Sequence, residues 1–167
     1  LMATPASGSI LQGWSGPCSG KDTCTVTMNT AQNVTATFAI PTPKSFTVTT
    51  LNDGNSGSLR QAISNANANP GDDTIIFQNG LSGTITLTGG QLDITDSLTL
   101  NGPGANVLAI SGNHSSRVFQ IHPGTNGTVT INGLTLKEGY DSGNGGGGIY
   151  IDEGTVTINK STLSDNS

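Results

Sequence analysis

The chain of 167 residues has few charged and few aromatic side chains. Charged residues make up 10% of the sequence and aromatic residues 4%, whereas 24 residues are glycine. So few charges cannot cover the exposed faces of a helical bundle, which excludes that class of protein. The remaining polar residues are mainly threonine, asparagine and serine, which with glycine are typical of β-strands joined by tight turns. The composition therefore predicts an all-β protein.

Positive charge is scarce as well. The net charge is −5, and the six lysine and arginine residues are scattered along the chain. Nucleic-acid binding requires a cluster of cations that neutralises phosphates, so nucleic acid is excluded as a partner. No run of about 18 apolar residues occurs, and the sequence predicts no membrane span. The chain opens without a signal peptide, and we expect it to be an excerpt of a longer protein whose targeting signals and anchor lie outside it.

Only two cysteines are present, Cys18 and Cys24, with five residues between them. This spacing suits a disulfide that closes a tight loop, and a disulfide would indicate an oxidising compartment. Two free thiols are the alternative. Metal binding by the pair is disfavoured because no third cysteine exists and because His114 and His122 lie far along the chain, in loops where we expect them to be solvated.

The most informative feature of the sequence is a six-residue segment that occurs twice. The residues Gly-Thr-Val-Thr-Ile-Asn at 127–132 recur at 154–159, and both copies continue two residues later into Thr-Leu. A period of 27 residues with alternating apolar positions is typical of one coil of a right-handed parallel β-helix. One coil cannot bury its apolar row alone, so coils must stack on one another.

Further strand candidates lie between turn signals throughout residues 46–167, at 46–50, 74–77, 83–87, 91–94, 97–100, 106–110, 118–121 and 149–151. Asn101, Asn132 and Asn159 recur at corners, where we expect their amides to satisfy backbone groups. Asp72 and Asp73 follow Pro-Gly and are predicted to lie in a turn.

One helix is predicted, at 59–66, with Ser58 as its N-cap. Leu59, Ala62, Ile63 and Ala66 lie on one face of this helix, and we expect that face to cover the otherwise open first coil. Arg60 is expected to hold the loop or the coil edge by hydrogen bonds, the alternative being contact with a substrate.

The first 39 residues form a separate unit. Residues 25–28 and 34–38 alternate with period two and are predicted to be strands joined by a turn at 29–33. The proline-rich segment 40–45 is predicted to be a linker in extended conformation, and residues 46–167 to be the β-helix.

The first unit resembles a known family. Gly-Trp-Ser-Gly-Pro-Cys-Ser-Gly at 13–20, Cys24 and the two predicted strands resemble the second half of a divergent internalin-type B-repeat, a small β module found on bacterial surface proteins. The resemblance extends over residues 2–38 and implies a partial module with Trp14 in its core. A platform on which a sugar stacks is the alternative role of Trp14.

Two further motifs resemble bacterial surface domains. Residues 57–63 are similar to the Cys-Ser-Leu-Arg-Glu-Ala-Ile motif that opens such β-helices, with Gly57 in place of the cysteine and Gln61 in place of the glutamate. Gly-Gly-Gly-Ile-Tyr at 146–150, followed by 154–158, resembles the repeat of right-handed β-helix surface proteins akin to polymorphic outer-membrane proteins. These resemblances imply a β-helix displayed on a bacterial surface.

The positions of the acidic residues do not indicate catalysis. Asp93 and Asp96 flank a predicted corner, and Asp152 and Glu153 precede a turn, so turn formation accounts for both pairs. No catalytic residue is predicted, and no cofactor, with Asp141, Asp152 and Glu153 as weak candidates for calcium ligands. The glycine run at 143–148 lacks the Lys-Ser/Thr and the helix that a phosphate loop requires, and is predicted to form a flexible or tightly turned corner.

The sequence thus predicts a secreted or cell-surface bacterial protein that serves adhesion or structural display without catalysis. Its partners would be host or environmental glycans or surface proteins. One alternative is a polysaccharide lyase or hydrolase of the pectin-lyase-like type, with its catalytic coils outside this chain. Another is a filament subunit that associates end to end through unpaired edges of its last coil.

Overall fold

A computed structural model describes residues 1–6, 9–143 and 145–167. The chain forms two compact units, Leu1–Thr42 and Pro43–Ser167. The boundary between these units falls inside the segment that the sequence predicts to be a linker.

The first unit contains a two-stranded antiparallel sheet of β1 (Ile10–Ser15) and β2 (Thr35–Ala39). Trp14 lies opposite Ala36, is half-buried, and donates a hydrogen bond from its Nε1 to the carbonyl oxygen of Asp22 at 2.7 Å. Cys18 and Cys24 form the predicted disulfide, with 5.8 Å between their Cα atoms, and Cys24 is buried. The indole and the disulfide therefore both hold the loop that follows β1.

The predicted hairpin of residues 25–28 with 34–38 is wrong. Residues 25–28 are not a strand, and β2 pairs instead with β1, which precedes the disulfide loop. Alternation of apolar residues indicates which face of a strand is buried and does not indicate its partner. Trp14 also forms an isolated antiparallel β-bridge with Gly20, so the disulfide loop lies against β1.

In its described residues, 43–143 and 145–167, the second unit contains twelve strands and one helix. They are β3 (Ser45–Val48), α1 (Leu59–Asn67), β4 (Asp73–Phe77), β5 (Gly83–Thr86), β6 (Leu92–Ile94), β7 (Leu98–Asn101), β8 (Leu108–Ser111), β9 (Phe119–Ile121), β10 (Thr128–Asn132), β11 (Thr135–Lys137), β12 (Ile149–Ile151), β13 (Thr155–Asn159) and β14 (Thr162–Ser164).

These strands form three parallel sheets. The first sheet has the order β3-β4-β7-β10-β13, the second β5-β8-β11-β14 and the third β6-β9-β12. Each coil contributes successive strands to successive sheets, and about four coils stack on one another. The predicted parallel β-solenoid is thus confirmed, and the repeat found in the sequence is a pair of stacked strands, since Thr128–Asn132 lies in register with Thr155–Asn159.

Inward side chains of successive coils stack as aliphatic rows. Ile85, Ile110 and Leu136 occupy equivalent positions of the second sheet and are fully buried. Burial of each such side chain contributes about 1.5–3 kcal/mol of transfer free energy. The core is therefore a stack of similar rows, in which each coil buries the apolar face of its neighbour.

Among the described residues the corner asparagines hydrogen-bond to one another, whereas the sequence predicted that they would satisfy backbone groups. Asn132 Nδ2 donates to Asn101 Oδ1 at 2.8 Å, and Asn159 Nδ2 donates to Asn132 Oδ1 at 3.1 Å. In-register parallel strands place equivalent side chains about 4.8 Å apart, which is a distance that an amide can bridge. Their recurrence predicted their position correctly, but the register of the coils decides their partner.

Asp73 is also not in a turn. It begins β4 and is only 1% exposed. Its Oδ1 accepts hydrogen bonds from the backbone amide of Lys44 at 2.7 Å and from Asn69 Nδ2 at 2.9 Å. These two hydrogen bonds hold Oδ1 at the start of β4, whereas Oδ2 is buried without a hydrogen-bond partner among the described residues.

Helix α1 is one residue longer than predicted and packs against β3, β4 and β6. Ser58 is its N-cap, and the Ser58 hydroxyl accepts a hydrogen bond from the amide of Gln61 at 3.1 Å. The residues predicted to face the coil are those that are buried, namely Leu59, Ala62, Ile63 and Ala66. The helix thus covers the edge of the solenoid at its first coil.

The disulfide can be checked by thiol titration. Because Cys18 and Cys24 are bonded to each other, we expect the unfolded, unreduced protein to contain no titratable thiol and the reduced protein to contain two. Two thiols before reduction would contradict both the bond and the oxidising compartment that it indicates.

Replacement of Ile63 tests the docking of α1. We expect Ile63→Asp to lower the free energy of unfolding of the second unit by about 4 kcal/mol, because it buries a charge without a partner and removes apolar contacts. Chemical denaturation measures this loss. The matched control is Gln61→Asp on the exposed side of the same helix, where the change is expected to be within about 0.5 kcal/mol. Equal stability of both variants would show that α1 does not dock.

Candidate functional site

Three polar side chains of the cap meet the edge of the first coil. Arg60 and Asn67 are seven residues apart on α1, so two helical turns bring them to the same face. Asp53 lies in the loop between β3 and α1. Arg60 binds it through two parallel hydrogen bonds, Nε to Oδ1 at 2.8 Å and one terminal nitrogen to Oδ2 at 3.0 Å. We refer to Asp53, Arg60 and Asn67 as the cap clamp.

The cap clamp satisfies backbone groups that have no neighbouring strand. Arg60 donates to the carbonyl oxygens of Gly90 at 2.6 Å and Gln91 at 2.8 Å. Asp53 Oδ2 accepts from the amides of Thr88 at 2.8 Å and Gly89 at 2.9 Å. These bonds close the chain segment between β5 and β6, which would otherwise expose unpaired donors and acceptors.

Asn67 hydrogen-bonds to the backbone at β6, which is an edge strand of the third sheet. Its Nδ2 donates to the carbonyl oxygen of Asp93 at 2.8 Å, and its Oδ1 accepts from the amide of Thr95 at 3.0 Å. One amide side chain thus provides the donor and the acceptor that a further parallel strand would provide. Arg60 hydrogen-bonds to the loop and to the coil edge, as the sequence predicts. The roles of Asp53 and Asn67 are not predicted from the sequence. The interval of seven residues from Arg60 to Asn67 was the available signal.

The environment of Asp53 lowers its pKa. Burial by itself raises the pKa of this carboxyl, but the hydrogen bonds from Arg60 and from the amides of Gly89 and Thr88 outweigh burial. The pKa therefore lies below its ordinary value of 3.8. The ionised form of Asp53 is the form that the cap clamp requires.

A second polar cluster covers the outer face of the third sheet. Asp93, Gln120 and Tyr150 occupy equivalent positions of β6, β9 and β12 and form one column along the stack of coils. Gln91, Arg117 and Asp141 flank this column. We call these six residues the third-sheet network.

The network is continuous. Arg117 forms an ion pair with Asp141, with 2.9 Å between a terminal nitrogen and Oδ2, and its guanidinium carbon lies 4.8 Å from the centre of the Tyr150 ring. The other terminal nitrogen of Arg117 donates to Gln91 Oε1 at 3.4 Å. Gln91 Nε2 in turn donates to Asp93 Oδ1 at 3.0 Å and to Gln120 Oε1. Residues from three coils are therefore joined on one surface.

The acidic residues considered for calcium or catalysis are dispersed. Asp141 is held by Arg117 and accepts hydrogen bonds from the amides of Gly143 and Gly145, whereas Asp152 and Glu153 are exposed beyond β12. Asp96 accepts a hydrogen bond from the amide of Ser97 next to it. In residues 1–6, 9–143 and 145–167, no three histidine, cysteine or acidic side chains are grouped so that they could hold a metal ion.

The histidines singled out in the sequence lie outside this network, whereas two residues of the glycine run donate hydrogen bonds to its Asp141. His114 is exposed and His122 is half-buried just after β9. In the glycine run at 143–148, Gly145 and Gly146 have positive φ angles of +97° and +85°, as a tight corner requires. Asn144, within the run, lies outside the described residues.

In the comparison with known proteins, one family model matches part of the chain. A family model of the divergent InlB B-repeat domain matches residues 1–41, which include Ser7 and Gly8 outside the described residues. The match supports the resemblance to an internalin-type B-repeat in the first unit, and it indicates a bacterial surface protein. Neither the curated proteins nor the solved structures contain a match to the chain. Among the described residues, no helix has the length and apolar character needed to cross a membrane.

The pH dependence of stability tests the cap clamp. Because the pKa of Asp53 is lower in the folded chain, its contribution is complete above about pH 4 and is lost as the pH falls through the folded pKa. At neutral pH we expect Asp53→Asn to lower the free energy of unfolding by about 2 kcal/mol, as for hydrogen bonds to a charged group. This difference from the wild type should shrink as the pH falls below about 4.

Urea denaturation between pH 7 and pH 2.5 measures the difference. The control Asp152→Asn, at an exposed carboxyl, is expected to leave the stability at neutral pH close to that of the wild type. A constant difference between wild type and Asp53→Asn over the whole range would contradict the role of ionised Asp53.

Proposed function

We propose that the chain belongs to a non-catalytic protein, secreted or held on the bacterial surface, that serves adhesion or structural display. The match of the first unit to a domain typical of bacterial surface proteins supports this location. The Cys18–Cys24 disulfide supports an oxidising, extracellular compartment. A capped stack of coils offers long, rigid faces for display.

The observation that carries the proposal is that the carboxylates of the third-sheet network are bonded to neighbouring side chains. Asp93 accepts a hydrogen bond from Gln91, and Asp141 is paired with Arg117, so both serve to order neighbouring side chains. Acid and base catalysis on a sugar requires two carboxyl groups facing one bond, and calcium-assisted catalysis requires several around one ion. The dispersed carboxylates favour a surface that binds without cleavage.

The cap also bears on the filament alternative. Head-to-tail growth requires that the first coil of one copy accept the last coil of the next. Helix α1 and the cap clamp occupy the edge of the first coil at β6 and satisfy its backbone groups. We therefore favour display over growth into a filament.

A product screen tests the absence of catalysis. Incubation with pectin, polygalacturonate and alginate, with and without Ca²⁺, is expected to give no new reducing ends and no unsaturated products. The control variants replace Asp93 and Asp96, or Asp152 and Glu153, by alanine, and they are expected to be equally inactive. Turnover by the wild type that either double variant abolishes would overturn the proposal in favour of an enzyme.

A further inference from the structure

We propose that the third-sheet network is a binding site for a neutral glycan chain that lies along the stack of coils. This inference rests on the proposed function, because it names the ligand class of an adhesive face. The site consists of the column Asp93, Gln120 and Tyr150 and of the flanking side chains that hold the column in place.

The orientation of Gln91 follows from its partners. Arg117 can only donate, so the atom of Gln91 that faces it must be the amide oxygen. The Asp93 carboxylate accepts, so the amide nitrogen of Gln91 must face Asp93, and the same nitrogen donates to the oxygen of Gln120. The NH₂ group of Gln120 consequently points away from Gln91 and stays available as a donor.

The column thus presents three different hydrogen-bonding groups. They are the second carboxylate oxygen of Asp93, the NH₂ group of Gln120 and the hydroxyl of Tyr150, and within the described part of the chain none of the three has a hydrogen-bond partner. The strands that carry them are about 4.8 Å apart. This spacing is close to the length of one sugar unit in an extended glycan, so successive units can meet an acceptor, a donor and a hydroxyl in turn.

Charge decides between neutral and acidic glycans. The network contains one cation, Arg117, and two anions, Asp93 and Asp141. Arg117 is already paired with Asp141 and lies over the Tyr150 ring, which leaves Asp93 as the charge that a ligand meets. A uronate chain would be repelled by this carboxylate, whereas the hydroxyls of a neutral sugar can donate to it.

The network also limits the entropic cost of binding. Gln91 holds Asp93 and Gln120, and Arg117 lies against Tyr150, so the groups that meet the ligand are ordered before it arrives. A protein partner is disfavoured, because Tyr150, the one aromatic side chain of the column, is covered by Arg117 and the other groups of the column are polar.

Binding by the whole chain can be measured by calorimetry with cellohexaose, mannohexaose and laminarihexaose as neutral probes and hexagalacturonate as the acidic probe. We expect at least one neutral hexasaccharide to bind and hexagalacturonate not to bind. The affinity for the neutral probe should change less than twofold between about 50 mM and 500 mM NaCl, because no ligand charge is involved. Binding of hexagalacturonate alone, with an affinity that falls with salt, would overturn the inference, and so would binding of none of the four probes.

Variants locate the site. Gln120→Ala and Tyr150→Phe each remove one group of the column, and each is expected to weaken binding about fivefold, as for the loss of one hydrogen bond. The matched control Thr99→Ala lies on the outer face of the first sheet and is expected to bind like the wild type. Circular dichroism and melting temperature establish that all three variants are folded. Wild-type affinity in both column variants would place the glycan elsewhere and refute this site, while leaving the proposed adhesive function intact.

Discussion

Every strand of a solenoid depends on a neighbouring coil for its backbone hydrogen bonds, and the first coil has a neighbour on one side only. In this chain the cap clamp provides the missing bonds at β6 and at the segment before it. Asp53, Arg60 and Asn67 together contact the backbone of residues 88–95 through side-chain groups. Because Arg60 is held by Asp53, loss of either side chain leaves the other without its charged partner near the coil edge. These bonds fix the edge on which the later coils stack.

The same stacking creates both the core and the outer surfaces. Equivalent positions of successive coils lie side by side, so an inward position becomes an aliphatic row and an outward position becomes a polar column. The asparagine row on the first sheet and the third-sheet network are two results of this one constraint. They differ because the first repeats one residue type, whereas the second places three different groups one above another.

Local patterns predicted much of this fold. The recurrence of Gly-Thr-Val-Thr-Ile-Asn predicted parallel coils, and the amphipathic helix after Ser58 predicted the cap and its buried face. The partner of β2 and the contacts of the asparagines were missed, because both depend on which segments lie side by side. Coil length is not constant: Asp73 pairs with Leu98, Leu98 with Val129 and Thr128 with Thr155, so successive coils span 25, 31 and 27 residues. Because the coil length varies, one repeat period does not predict which residues of successive coils lie side by side. The alignment of Asp93, Gln120 and Tyr150 therefore requires the register of β6, β9 and β12, which only the structure gives.

The two arginines of the chain are bonded in similar ways. Arg60 and Arg117 are each paired with an aspartate, at 2.8 Å and 2.9 Å, and each also donates to a group at the first coil of the third sheet. Arg60 holds the backbone of Gln91, and Arg117 holds the side chain of the same residue. Gln91 therefore bonds to the cap clamp through its carbonyl oxygen and to the third-sheet network through its side chain. The bonds that cap the first coil and the bonds that order the outer face thus meet at one residue.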